Sequence, residues 1–87
     1  MTSSKTARRR RVINRWSSDC WLCGLPIDLA LASPAPGSFS IDHVTPQAYG
    51  GSDRLPNLRP AHRSCNAARG HRYVSQRPRL RLLGGAR

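Results

Sequence analysis

The sequence has no glutamate, a single lysine, and no apolar run approaching the ~20 residues that cross a bilayer. Its acids are four aspartates, Asp19, Asp28, Asp42 and Asp53. Leu, Ile, Val and Phe supply 16 of 87 residues, under the ~20% at which a highly charged chain begins to resemble a disordered one. Three of these, Leu80, Leu82 and Leu83, lie near the end of the chain, so its middle must fold around very little apolar material. Cores of that size rarely hold without disulfides, a metal or a partner. Three cysteines cannot all pair within one chain. The stretch from Met1 to Arg15 offers only Val12-Ile13, flanked by charge, where a secretion signal has a long apolar segment. A secreted disulfide scaffold and a membrane protein are therefore both excluded as expectations, and a metal is left as the staple. The length leaves room for one small domain with flanking sequence.

What is present is positive charge. The formal net charge is +11, and 14 of the 15 cations are arginine. Such a balance points to a polyanionic partner, with nucleic acid as the default. Arginine suits bidentate phosphate and base contacts, although G+C-rich coding produces the same skew. Residues 1–18 read as a basic N-terminal arm. Its run Arg8-Arg9-Arg10-Arg11 repels itself and is expected to stay mobile until it settles on nucleic acid; a solvated tail or a weak helix is the plainer alternative. Residues 74–87 read as a basic C-terminal tail. Between them, 19–73 form the expected domain. Asp19 to Gly24 is a tight knuckle with Gly24 where positive φ is often needed, and Ala32 to Ser38 is a loop rich in Pro, Gly and Ser. The alternation Phe39-Ser-Ile-Asp-His-Val44 predicts a strand. Thr45-Pro46 ends it, and Gly50-Gly51-Ser52-Asp53 marks a turn within an exposed loop, Gln47 to Pro56. Asn57 to Pro60 can form a return strand, with Pro60 ending the ladder. His62 to Arg69 suits a short helix capped by Gly70.

Cys20-x-x-Cys23 and His62-x-x-Cys65 are two half-sites, each spaced so that both side chains converge on one ion. A Cys-x-x-Cys pair alone could be a redox pair, but no thioredoxin-like strand and helix surround it. Together the half-sites make a four-ligand Cys₃His set for structural zinc. Such a site is closed to water and holds a fold; it does not catalyse.

Asp42, His43, Asn57 and Asn66 are not accounted for by zinc, and here the sequence resembles the HNH endonuclease family, from Cys20 to Gly70. Ile41-Asp42-His43-Val44-Thr45-Pro46 is similar to the family's Asp-His strand, Gly50-Gly51 followed by Asn57-Leu58 to its loop and central Asn, and His62 to Gly70 to its closing knuckle and helix. The resemblance implies a small α+β fold of the ββα-metal (His-Me finger) type, stapled by zinc and carrying basic flanking arms. It implies a phosphodiester hydrolase acting on DNA. His43 would be the general base, suited to that role because imidazole titrates near neutral pH. Asp42 and Asn66 would hold a catalytic Mg²⁺ or Mn²⁺, hard ions that suit oxygen ligands. Asp42 leaves a strand on the face opposite His43 unless the hairpin twists. Asn57 would fix the loop that orients His43, and could equally be a plain turn residue. Arg63 and Arg69, with the arm residues Arg8, Arg9, Arg10 and Arg11, would hold the DNA backbone. Trp16 and Trp21 are expected to pack over the zinc site. Small free-standing members resemble phage proteins encoded beside DNA-packaging genes, which implies a larger, terminase-like partner and the cytoplasm of a bacterial host. Little surface is left for base readout, so weak sequence specificity is expected; oligomeric state is not legible. The competing readings are a zinc-ribbon nucleic-acid-binding module without catalysis, and a structural RNA-binding adaptor.

Overall fold

The computed structural model describes residues 4–74. Its elements are helix α1 (Ser4–Arg15), strand β1 (Phe39–His43), strand β2 (Leu58–His62) and helix α2 (Arg63–Arg69). The strands pair antiparallel, from Phe39 opposite His62 to His43 opposite Leu58.

Period-two alternation along β1 puts Ser40 and Asp42 on one face and Phe39, Ile41 and His43 on the other. Helix α2 lies against the first face: Asn66 Nδ2 donates to Ser40 Oγ at 2.8 Å and Arg69 Nη1 to Asp42 Oδ2 at 2.8 Å. With seven residues, α2 is too short to persist alone. The preceding loop holds its N-terminus, where the Ser38 and Pro36 carbonyls accept from the amides of Arg63 and Ser64, satisfying donors that the first turn leaves open. Gly70 closes the helix at φ +57°.

Pro60 does not end the ladder; β2 runs on to His62. Pro60 faces away from β1 in the hydrogen-bonding sense, and its carbonyl accepts from the Trp21 amide at 2.9 Å. Its missing N–H is therefore lost to the outer edge, not to the pairing with Ile41. The loop from 44 to 57 is more ordered than expected, with single 3₁₀ turns at Gln47–Tyr49 and Leu55–Asn57.

The expected mobile arm is instead helix α1, packed against β2. Like charges three and four apart on a helix oppose it by only ~0.2–0.5 kcal/mol per pair. Val12, fully buried, contributes ~1.5–3 kcal/mol, and Arg9 is held over the Phe39 ring at 5.0 Å and to the Leu29 carbonyl at 2.8 Å. Packing outweighs the repulsion. The core is small: Cys20, Ile27 and Ala61, with Trp21, Leu22, Phe39 and Cys65 packed around them. From residue 75 onward the expected basic tail lies outside the described residues.

Candidate active site

Four ligand atoms, from Cys20, Cys23, His62 and Cys65, lie within 4.8 Å of one another. His62 Nδ1 is 3.3 Å from Cys23 Sγ and 3.8 Å from Cys65 Sγ. A zinc tetrahedron with bonds of ~2.0–2.3 Å has edges of about 3.3–3.8 Å, so the cluster fits a zinc site. The knuckle turns through Gly24 at φ +82°, where the Gly24 amide donates to the Cys20 carbonyl at 2.7 Å. His62 Nε2 is 3.0 Å from the Pro26 carbonyl; a carbonyl only accepts, so Nε2 carries the hydrogen and Nδ1 faces the metal position. The His62 amide also points at Cys20 Sγ, at 3.4 Å. Burial pushes the Cys20 thiol up, but amides including that of His62 outweigh it and bring it down to about 7. Burial and the charge of Cys20 push Cys65 up to about 11.

His43 ends β1, its side chain 18% exposed. Its Nε2 is 2.7 Å from Asp53 Oδ1, and because a carboxylate only accepts, Nε2 carries a hydrogen; in the neutral imidazole that leaves the lone pair on Nδ1. That hydrogen bond holds the Asp53 carboxyl below its ordinary range. Asp53 was legible in sequence only as a turn residue; the signal available was that it is one of four acids, placed between His43 and Asn57.

Asn57 ties the loop together. Its Oδ1 accepts from the Thr45 amide at 2.8 Å, and its Nδ2 donates to the carbonyls of Thr45 at 3.1 Å and Ser52 at 2.7 Å. Gly51 is required beside it, since an added Cβ would stand 1.7 Å from the Thr45 carbonyl oxygen.

Asp42 is buried and faces α2, so the structure does not bring its carboxylate to the His43 imidazole. Its Oδ2 accepts from Arg69 Nη1 at 2.8 Å and from Trp21 Nε1 at 2.9 Å; its Oδ1 accepts from the His43 amide at 2.9 Å. Asn66 stands across from β1, and its Nδ2 also reaches the Ile41 carbonyl at 3.3 Å.

The expectation that Arg69 touches DNA is corrected. Its guanidinium is 2% exposed and fully committed to Asp42, the His43 and Val44 carbonyls and the Arg72 carbonyl. Arg9 is likewise engaged within the fold, whereas Arg8, Arg10, Arg11 and Arg63 are exposed. Arg8 and Arg11, one turn apart on α1, line a cleft of about 340 Å³ with Arg54, Asp53, Leu55 and Leu58. Trp21 does pack on the core beside Cys20. Trp16 instead lies between the guanidiniums of Arg15 and Arg59, each 3.7 Å from its ring.

Residues 20–72 match the family described as HNH endonuclease. Among solved structures, the chain is similar to a type II restriction endonuclease, at 25% identity and a TM-score of 0.48, over 84% of this chain and 34% of that one. The chain thus spans about a third of that protein's length. Comparison with curated proteins finds no match.

Proposed function

The chain belongs to the HNH endonuclease family, and from that membership we propose that it hydrolyses phosphodiester bonds in DNA with His43 as general base. The observation that carries the reading is the His43 imidazole itself: held at the end of β1 and engaged through Nε2, so that its neutral form has the lone pair on Nδ1, beside a cleft walled by Arg8, Arg11 and Arg54. A DNA strand lying in that cleft would meet guanidiniums on its phosphates, contacts that hold it without reading sequence. Arg10 and Arg63 would extend the same surface. Nδ1 would take the proton of the attacking water.

Two ions are part of the proposal. Three thiolates and an imidazole select a soft tetrahedral ion, and zinc is the one we assign. At the second site, Asp42 and Asn66 project oxygen-bearing side chains from β1 and α2. Asp42 Oδ1 carries one hydrogen bond, and both Asn66 contacts run through Nδ2, so an oxygen of each is left to offer to a hard divalent cation. Asp42 and Asn66 would hold Mg²⁺ or Mn²⁺, which would supply Lewis-acid chemistry at the phosphate; because Asp42 faces α2 and is held by Arg69, serving the phosphate that His43 addresses requires its carboxylate to turn from Arg69 toward the His43 side. The Arg69 guanidinium on Asp42 Oδ2 offsets the carboxylate charge, so the ion should be weakly held.

The three arginines of the cleft would hold phosphates without reading bases, which supports low sequence specificity. A larger DNA-packaging enzyme as partner, and action in the cytoplasm of a phage's bacterial host, extend the reading on family resemblance. The test is relaxation of supercoiled plasmid by zinc-loaded protein with Mg²⁺ or Mn²⁺, beside His43→Ala. Nicked or linear product from the wild type alone is expected. Equal and negligible cleavage by both, with both folded and bound to DNA, would point to a binding module.

A further inference from the structure

We propose that Asp53 is a positioning residue for His43, coupling the loop locked by Asn57 to the imidazole that takes the proton. The proposal rests on the reading of His43 as base. A surface ion pair of this kind ordinarily contributes little, but three features set this one apart. The imidazole is largely buried while its partner approaches from the solvent side, so the ring's orientation is decided by packing and by this contact. The receiving oxygen is itself fixed, since Gln47 Nε2 donates to the same Asp53 Oδ1 at 3.1 Å. The segment carrying Asp53 is tied down on either side: Asn57 grips the Ser52 and Thr45 carbonyls, and Ser52 Oγ accepts from the Arg54 amide at 3.3 Å. The result is one imidazole tautomer, with hydrogen on Nε2 and the lone pair on Nδ1.

The location sharpens the argument. Asp53 lies in the same cleft as Arg8, Arg11 and Arg54, where a carboxylate repels a DNA phosphate. If the cleft served binding alone, an acid there would only weaken it. Removing Asp53 should therefore lower turnover without weakening DNA binding, a split that a merely structural residue would not produce.

The experiment compares wild type with Asp53→Asn, Asp53→Ala and Asp53→Glu in the full, zinc-loaded chain. Loss of the outer partner that orients a metal-ligating histidine costs about 10–100-fold, and a loss of the same order is expected for an oriented general base. Asp53→Asn and Asp53→Ala should lose kcat by that factor with KM for DNA unchanged or lowered, while Asp53→Glu recovers part of the rate. The ¹⁵N shifts of the His43 ring, recorded without DNA, should report the Nε2–H tautomer in wild type and a mixture in Asp53→Ala. An Nδ1–H tautomer in wild type, or ring shifts and kcat both unchanged in Asp53→Ala, would overturn the proposal. The ring shifts do not depend on cleavage. A wild type that cuts nothing yet shows the Nε2–H tautomer, lost in Asp53→Ala, counts against the nuclease reading and leaves the coupling standing.

Discussion

Arg69 and Asp42 form a buried pair in which each partner depends on the other. Removing one leaves the other charge out of water and unpaired, which costs ~3–5 kcal/mol. Arg69→Ala should therefore lower the stability of the zinc-loaded protein by about that much in urea unfolding; a loss under about 1 kcal/mol would mean that Asp42 finds another partner. Gly51→Ala should also be severe, because its Cβ meets backbone oxygen and not a movable side chain. A loss of at least about 2 kcal/mol is expected in the same assay. Trp16→Phe should cost far less, since the indole Nε1 is buried with no hydrogen-bond partner among the described residues. None of these roles can be read from local sequence. Arg69 looks like any cation at the end of a helix, and becomes structural because Asp42, 27 positions earlier, faces inward from β1. Asp53 looks like a turn former for the same reason: its partner is set by how the loop folds back.

At the scale of elements, α1 is where sequence reasoning failed. Four consecutive arginines outweigh two apolar residues in any local accounting, and the surface that buries Val12 belongs to β2, more than forty residues away. Val12→Asp should release α1 from the sheet. The expected outcome is weaker DNA binding with a shallower salt dependence, because Arg8 and Arg11 leave the cleft; DNA titrations at several salt concentrations measure both. An unchanged slope would show that α1 does not contact DNA. The strands and α2 were legible, because alternation along 39–43 and a breaker-free run ending in Gly70 are local signals. The length of β2 was not, since the tolerance for Pro60 depends on which way its peptide faces.

At the scale of the whole molecule, the Cys20, Cys23, His62 and Cys65 cluster fits a zinc site, and a metal there would stand in for a core. Among the described residues the buried apolar side chains are few, namely Val12, Cys20, Ile27, Val44, Leu58, Pro60 and Ala61. Structural zinc in small domains contributes an apparent ~10–16 kcal/mol near neutral pH. Chelation should unfold the protein, seen as loss of circular dichroism that returns on adding zinc. Ligands must be deprotonated to bind, and thiols of an unfolded, metal-free chain titrate near ~8.5, so loading at pH 7 should release more than one proton per ion. Zinc affinity should accordingly strengthen as pH rises and weaken in acid. Calorimetry in two buffers of different ionisation enthalpy counts the protons, and a count near zero would contradict this ligand set. The Cys-x-x-Cys and His-x-x-Cys half-sites made the convergence of these four residues legible, because ligand spacing is local even when the loop it closes is long. A two-stranded sheet also has two open edges that can recruit strands from other molecules. Here one edge is covered by the first knuckle, through the Trp21 amide and Cys20 Sγ, and the other by Asn66 and Arg69, which hold the Ile41 and His43 carbonyls. Replacing either of those side chains uncovers a strand edge, so loss of cleavage in such variants would be inseparable from self-association unless light scattering shows them monodisperse.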